Sequence, residues 1–458
     1  MGVLDSLAIG RRALGAASAG VNVVSQNVAN AATPGYSRRR VLQQTADPVR
    51  RRGLWLGTGV NVRGINRASD RLLGVRVVAA TGADAQASTI ETTLSTAQAY
   101  FNETSGTGLS EAYSSFYSSM SELTANPSDS GSRRQVVENA STLAQTVSRT
   151  GKGLADGIDQ IDGTVGDSID QINSDLSAIA SLNASIGKQG ANTGPGDLLD
   201  RRDELIRGLG ESAGATVELD ANGQANVFIG GFAVVMGKES RTLSVADDSS
   251  GLAQVYVSSD SGKMRVTDSL GGELGGLMSS RSTMDGWLSQ LDDFATNLAS
   301  IVNAQHALGF DTSGNPGGDV FSVDPSSPGT TLTIDPSLQA DPNLLAVAGA
   351  ATADPGDGDN LTALMSLKSS ATFGSGTTGA TALSSLTTSV GSEVAAATSD
   401  STSSAAQLSD LQTQRDAISK VDTDEEAIKL IEFQTAYRAA ARIISAGDQM
   451  LQSLLAIG

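Results

Sequence analysis

Residues 423–455 read TDEEAIKLIEFQTAYRAAARIISAGDQMLQSLL. Thr423-Asp424-Glu425-Glu426 has the form of a capping box, in which a Thr hydroxyl and a Glu carboxylate satisfy free N–H groups of the first turn. Leu430, Tyr437, Ile444 and Leu451 then recur every seven residues, and Phe433, Ala440 and Leu454 fall three later. Apolar residues at this spacing share one face of a long helix and form a seam for a partner helix.

The other end of the sequence repeats the pattern. Between Leu4 and Asn30, Leu7, Leu14, Val21 and Val28 recur every seven residues, with Ala17, Val24 and Ala31 three later. At 1.5 Å per residue the two helices would be roughly 45 and 50 Å long. Their matched lengths and seams predict that they pack together as a coiled coil. Each stripe could instead face a local core, the commoner fate of an amphipathic helix. Against that, the first helix is followed by a long polar, Arg-rich stretch. Burying a Leu or Val is worth about 1.5–3 kcal/mol, against about 1–2 kcal/mol of backbone entropy per ordered residue. A lone pair with few large side chains is marginal, so the ends are expected to be mobile alone and to order on assembly.

Working inward, Thr33-Pro34-Gly35-Tyr36 ends the first helix as a turn. Residues 37–66 read as an extended arm or long hairpin. From about Arg67 to Gly210 the pattern is helical, and Asn126-Pro127-Ser128-Asp129 forms a turn that caps the next helix. Ile158, Ile161, Val165, Ile169, Ile172, Leu176, Ile179 and Leu182 step by three or four along a long amphipathic helix. From Ala215 the period is two, and a small β domain ends near Gly276. Helix resumes at about Ser279 and runs to Ala307. A Gly/Pro/Asp-rich stretch at 309–360 holds one β-like run, Thr330–Ile334, and helix returns from Leu383 to Ile418.

The expected fold is mainly α and nested. Residues 1–66, an inner helix with its arm, pair with the C-terminal helix at 421–458. Residues 67–213 and 279–420 form a helical-bundle middle domain, and 214–278 a small inserted β domain.

Composition narrows the function. Aromatics are 4% of the 458 residues, leaving few anchors for a deep ligand pocket. The absence of cysteine excludes disulfides, thiolate catalysis and cysteine-ligated metal. His306 is the single histidine, so no multi-histidine metal site can form. Residues 1–80 hold twelve Arg and three acidic residues, a net of +9, which leaves −28 on the rest of a chain whose total is −19. The basic part includes Arg38-Arg39-Arg40 and Arg50-Arg51-Arg52. It suits the acidic surface of a neighbouring subunit, or a nucleic-acid or anionic-lipid patch. The acidic body and the lack of interleaved aromatics argue against nucleic acid. No run approaches the ~20 apolar residues of a membrane span. No Sec-type signal opens the chain, so it is expected to be cytoplasmic or exported without a cleaved signal.

Three clusters could carry chemistry. Asp197-Leu198-Leu199-Asp200-Arg201-Arg202-Asp203-Glu204 could hold a metal or an acid/base pair. Alternatively, Asp197 with Arg201 and Asp203 with Arg207 form i,i+4 pairs at a helix start. Asp354, Asp357, Asp359 and Asn360 resemble a calcium loop, but neither Met365 nor Lys368 supplies the Glu an EF-hand needs at position twelve. His306 suits a cap or a core better than a base without a nucleophile. Neither a G-x-S-x-G, a Walker A nor a dinucleotide-binding motif occurs. The chain reads as no enzyme, with no cofactor and no metal.

The run Ser25-Gln26-Asn27-Val28-Ala29-Asn30-Ala31-Ala32-Thr33-Pro34-Gly35-Tyr36-Ser37-Arg38 resembles the N-terminal signature of bacterial flagellar rod, hook and hook-associated proteins. Glu425-Glu426-Ala427 with Leu430 to Tyr437, Ala441 to Ser445, Met450-Leu451 and Leu454-Leu455 resembles the partner signature at the other end. Interior runs narrow the resemblance to the hook–filament junction branch. They are Phe116 with Leu123, Asn126 to Asp129 and Arg133; Asp197 to Asp203; and Gly275-Gly276-Leu277 with Arg281 and Asn303 to Ala307. The likeness is weakest over 240–270 and 312–400.

The resemblance implies a structural subunit exported unfolded through the flagellar type III apparatus. It implies a homo-oligomeric ring between the flagellar hook protein and hook-associated protein 3. Asn27, Asn30, Thr33, Pro34, Gly35 and Tyr36 would be the family motif. Leu7, Leu14, Val21, Val24 and Val28 would form the N-terminal assembly seam. Leu430, Phe433, Tyr437, Ile444, Leu451 and Leu454 would form the C-terminal seam, also covered by a flagellar export chaperone. A hook or distal-rod subunit is the nearest alternative; a secreted adhesin or ligand-binding protein is the non-structural one.

Overall fold

Helix dominates the computed structural model of this chain because the apolar spacing of three and four persists through several long segments. The structure describes all residues except 1–2, 52, 102–107, 190–195, 221–222, 248–252, 260–261, 353, 355, 371–372, 374–375 and 458. Helix α1 (Val3–Ala29) leads through a turn into an arm of four strands, β1 (Arg39–Thr45), β2 (Val49–Arg51), β3 (Leu54–Leu56) and β4 (Val60–Arg67). Four helices follow: α2 (Arg71–Gln98), α3 (Leu109–Leu123), α4 (Ser130–Gln189) and α5 (Gly196–Ala213). The β domain holds β5 (Thr216–Leu219), β6 (Ala225–Ile229), β7 (Phe232–Met236), β8 (Glu239–Ser240), β9 (Leu243–Asp247), β10 (Ala253–Ser259) and β11 (Gly262–Arg265). Then come α6 (Gly272–His306), β12 (Phe321–Ser322), α7 (Pro328–Thr331), β13 (Thr333–Ile334), α8 (Pro336–Ala340) and α9 (Asp359–Ser366). Two long helices complete the chain, α10 (Gly379–Ser419) and α11 (Thr423–Ile457).

The axis of the body is α4, whose 60 residues span about 90 Å at 1.5 Å each. Asp129 caps it, accepting from the backbone N–H of Ser132 at 2.7 Å. Those hydrogen bonds hold the Asp129 carboxyl below its ordinary value. Ile158, Ile161, Val165, Ile169, Ile172, Leu176 and Ile179 are all buried along one face. Helices α3, α5 and α6 pack against that helix, and α2 lies between α6 and α10. Arg281 of α6 forks onto Asp162 of α4 at 2.6 and 2.9 Å.

The seven β-domain strands form two antiparallel sheets, ordered β5-β6-β7-β8 and β11-β10-β9. Ala225, Val227 and Ile229 alternate inward on β6, as the period of two requires. Two asparagines of α4 moor the domain. Asn183 donates to the carbonyls of Ala225 and Gly237 and accepts from the Ala225 N–H. Asn173 exchanges both bonds with the Leu243 backbone, at 2.7 and 3.0 Å.

Helix α6 starts at Gly272, earlier than the expected Ser279. The β domain, expected to end near Gly276, gives way before the Gly271-Gly272 and Gly275-Gly276 pairs. In the fold they permit close packing: a Cβ on Gly276 would sit 2.7 Å from the Gln86 carbonyl of α2. The next connection is ordered by side chains rather than by long strands. Asn303 bonds the backbone of Val320 and Phe321, and Asn360 donates to the Ala346 carbonyl. His306 is 1% exposed; its Nδ1–H donates to Gly318 O at 2.7 Å and its Nε2 accepts from Ala346 N–H at 2.8 Å. Burial holds this imidazole below its ordinary pKa.

Among the described residues no helix is long and apolar enough to cross a membrane.

Protonated His306 cannot accept from Ala346. Its folded pKa lies below the unfolded value of 6.5, so its contribution is full above that value and is lost as pH falls. Thermal unfolding from pH 7.5 to 5.5 should show stability falling with acid, and the slope should be shallower in His306→Gln. His306→Ala should cost about 2–6 kcal/mol, because Ala346 N–H and Gly318 C=O lose buried partners worth about 1–3 kcal/mol each.

Candidate assembly interface

The two terminal helices lie side by side and antiparallel. Leu7 meets Gly447, Gly10 meets Ile444 and Ile443, Gly20 meets Phe433, and Asn27 meets Glu426. The contact is close because glycines line it. A Cβ on Gly20 would fall 2.4–2.6 Å from the Phe433 ring, and one on Gly447 would fall 2.7 Å from Leu7. The face of α1 buried here carries Gly10, Ala17, Gly20, Val24 and Asn27. Its large period-seven residues flank this line: Leu7, Leu14 and Val21 are half-buried, and Val28 is 46% exposed. Large side chains at the centre would hold the axes apart.

On α11, Leu430, Phe433, Ile444 and Leu451 are half-buried, and Ala440 and Gly447 are buried. Tyr437 and Leu454 stand exposed. Ile428 and Ile431 are exposed on the far side of α11, and Ile443, which also meets Gly10 of α1, and Met450 are exposed along the edge of the contact.

Asn27 ties three segments together. Its amide donates to the Arg39 carbonyl at 2.9 Å and to Glu426 at 2.8 Å. Its carbonyl oxygen accepts from the Tyr36 hydroxyl and the Arg39 N–H, both at 2.9 Å. Both donors and both acceptor positions of this buried side chain are thus used. Tyr36 is delivered by the Thr33–Tyr36 turn, closed by Tyr36 N–H to Thr33 O at 3.2 Å, with Gly35 at φ 75°. That φ suits glycine. Asn30 stitches the turn, donating to Gln26 O and accepting from Thr33.

Glu426 does not close a capping box with Thr423, as the sequence suggested. Its carboxylate serves Asn27, and Asp422 caps α11 by accepting from the N–H groups of Asp424 and Glu425.

An ion-pair joint connects this pair to the body. Arg38 bonds Glu425, whose carboxyl Lys429 and Arg38 hold down at about 2. Arg39 bonds Asp197 and Asp200 and lies over the Tyr36 ring at 5.0 Å. Arg67 reaches Asp200 at 2.9 Å and Asp203 at 2.8 Å. Burial raises the Asp200 pKa, and Arg67 and Arg39 oppose that rise. Arg202 pairs with Asp203 at 3.5 Å and also donates to Gly223 O of the β domain at 2.7 Å.

The expected i,i+4 pairs are therefore replaced. Asp197 pairs with Arg39 instead of Arg201, and Asp203 pairs with Arg67 and Arg202 instead of Arg207. Arg207 pairs with Glu204 and Glu211. The arm brings guanidinium groups to the α5 carboxylates from another element, with two ionic contacts each for Arg39 and Arg67. Sequence spacing within α5 could not reveal this. Around the joint lies a groove of about 1150 Å³ lined by Tyr36, Arg67, Asp203, Leu199 and Val421. In the Asp354–Asn360 loop, Asp357 accepts from the N–H groups of Gly349 and Asp359. Among the described residues no group of three or more His, Cys, Asp or Glu is arranged to hold a metal.

Known proteins share these parts. Residues 94–321 match the "Flagellar hook-associated protein FlgK helical domain" family. Residues 412–457 match "Flagellar basal body rod FlgEFG protein C-terminal", and 7–36 match "Flagella basal body rod protein". Flagellar hook-associated protein 1 of Salmonella typhimurium is 31% identical over 322 residues, 68% of this chain and 58% of that protein. The Escherichia coli K12 protein of the same name is 30% identical over 327 residues, with the same shares. The Bacillus subtilis one is 28% identical over 349 residues, 68% of each chain. The chain thus spans 58% of the length of the enteric relatives. The solved flagellar hook junction protein FlgK from Burkholderia pseudomallei has the same fold, with a TM-score of 0.64 and 19% identity over 75% of this chain and all of that one.

Gly20→Val should push Phe433 away and expose both chain ends to limited proteolysis, while the thermal unfolding of the body is unchanged. Asn27→Ala should lower hydrogen-exchange protection of α1 and α11 by roughly 3 kcal/mol, since several buried groups lose a partner worth about 1–3 kcal/mol each.

Proposed function

Because the chain belongs to the family of flagellar hook-associated protein 1, we propose that it is a structural, non-catalytic subunit of the bacterial flagellum that joins the hook to the filament. Copies assemble into a ring through the α1–α11 pair. The observation that carries this reading is the apolar surface left exposed on α11, Ile428 and Ile431 on its far side and Ile443 and Met450 at the edge of the seam, on a helix already paired with α1. A free amphipathic helix needs one buried face; this helix offers two. Domains divide accordingly: residues 1–66 with 421–458 as the inner unit, 67–213 with 279–420 as the outer helical wall, and 214–278 as an outward β domain. The seam residues Leu7, Leu14, Val21, Leu430, Phe433, Ile444 and Leu451 hold the pair, and Val28, Tyr437 and Leu454 face neighbouring subunits.

The hook protein lies on one side of the ring and hook-associated protein 3 on the other. The chain passes through the type III export apparatus without a cleaved signal, and its lack of cysteine suits passage unfolded. Before assembly an export chaperone shields Leu430–Leu455. The inner pair becomes rigid when neighbouring copies cover it. The helical-domain match over 94–321 favours the junction over a hook or distal-rod position.

Removing residues 424–458 should leave a folded, cooperatively melting body but abolish junction assembly and motility. Swimming cells carrying that truncation would overturn the reading.

A further inference from the structure

The arm carries more apolar surface than its strands can cover. Strands β1 and β4 pair antiparallel from Arg39–Arg67 to Thr45–Val60, and β2 pairs with β3 beyond them. Leu42, Val49, Leu54, Trp55, Val62 and Ile65 stand exposed, Leu54 and Trp55 at 68% each. A two-stranded ribbon is marginal in water without a third strand or a packed neighbour. At one end the ribbon is fixed by the Arg39 and Arg67 ion pairs. Further out, Arg12 of α1 donates to the Thr58 carbonyl and hydroxyl at 2.9 and 3.0 Å. The β2–β3 tip projects past these anchors. It presents Trp55 directly opposite Arg50 on one face, with Leu54 and Val49 on the other, and Trp and Arg dominate the buried centres of protein contacts. Arg52 lies outside the described residues.

Charge indicates what covers the tip. Arg40, Arg50 and Arg63 are exposed on the arm, and Asp47 is the one acid between residues 37 and 66. The chain beyond residue 80 carries −28. On α4, Asp156, Asp159, Asp167 and Asp170 are exposed at spacings that place them on one helix face, away from the buried Ile158–Ile172 line. Among the described residues none of these four makes an ion pair.

We propose that the β2–β3 tip of one copy, through the face that carries Trp55 and Arg50, docks on the acidic α4 face of a second copy. Arg50 meets the aspartates, and Trp55 is desolvated against the helix. This contact is separate from that of the terminal helices, and it rests on the reading that copies of the chain assemble together.

The test places a benzophenone amino acid at Trp55 of the full chain in flagellated cells, with a twin placement at Ile443, exposed at the edge of the α1–α11 contact. After irradiation of purified flagella, the Trp55 placement should yield a species of twice the chain mass. Its cross-linked peptide should map to residues 130–189 of the second copy. Replacing Asp159, Asp167 and Asp170 by Lys should reduce that species at least fivefold, and adding Arg50→Glu should restore part of it. A dimer from Ile443 but none from Trp55, or coupling of Trp55 to another flagellar protein, overturns the arm contact and leaves self-assembly standing. No dimer from either position overturns both.

Discussion

Asn27 lies out of reach of water, and each donor and acceptor of its amide has a partner inside the protein. Those partners come from α1's own turn, from the first residue of the arm and from the first turn of α11. The inner end of the molecule is arranged around this one side chain. It sets where the arm leaves α1, and it fixes the axial position of α11 against α1 by its bond to Glu426. An apolar residue at 27 could fill the space but could not specify that register, because van der Waals contact tolerates sliding and a four-bonded amide does not.

Outside that point, small residues do much of the specifying. Gly10, Gly20 and Gly447 bring α1 and α11 together, Gly82 and Gly210 bring α2 and α5 together, and Gly276 brings α6 onto α2. In each case a Cβ would overlap an atom of the neighbour. A chain poor in aromatics can therefore pack long helices tightly. It also leaves apolar side chains standing beside the close contacts, where they can serve a neighbouring copy.

The charged residues divide into those used within the chain and those left for others. Arg38, Arg39 and Arg67 are consumed by Glu425, Asp197, Asp200 and Asp203 in the joint. Arg50 and Arg63, farther out on the same arm, stay exposed. The joint holds the inner pair to the helical body, and the arm beyond it is a projection that carries both apolar and basic side chains.

Much of the fold was legible in the residues alone, because hydrophobic period depends only on local order along the chain. The steps of three and four through Ile158–Leu182 correspond to the buried face of α4, and the switch to period two near Ala215 corresponds to the strands after α5. Composition alone excluded disulfides, and charge alone separated a basic N-terminal part from an acidic remainder. What the sequence could not decide was who meets whom across large separations. Asp197 sits four residues from Arg201 but bonds Arg39, Glu426 bonds Asn27 rather than capping its own helix, and α6 begins at Gly272 rather than at Ser279. Periodicity records which face of an element is apolar. Only the tertiary structure chooses the partner, because that choice rests on close approach and on the full satisfaction of buried polar groups, and both depend on atoms hundreds of residues away.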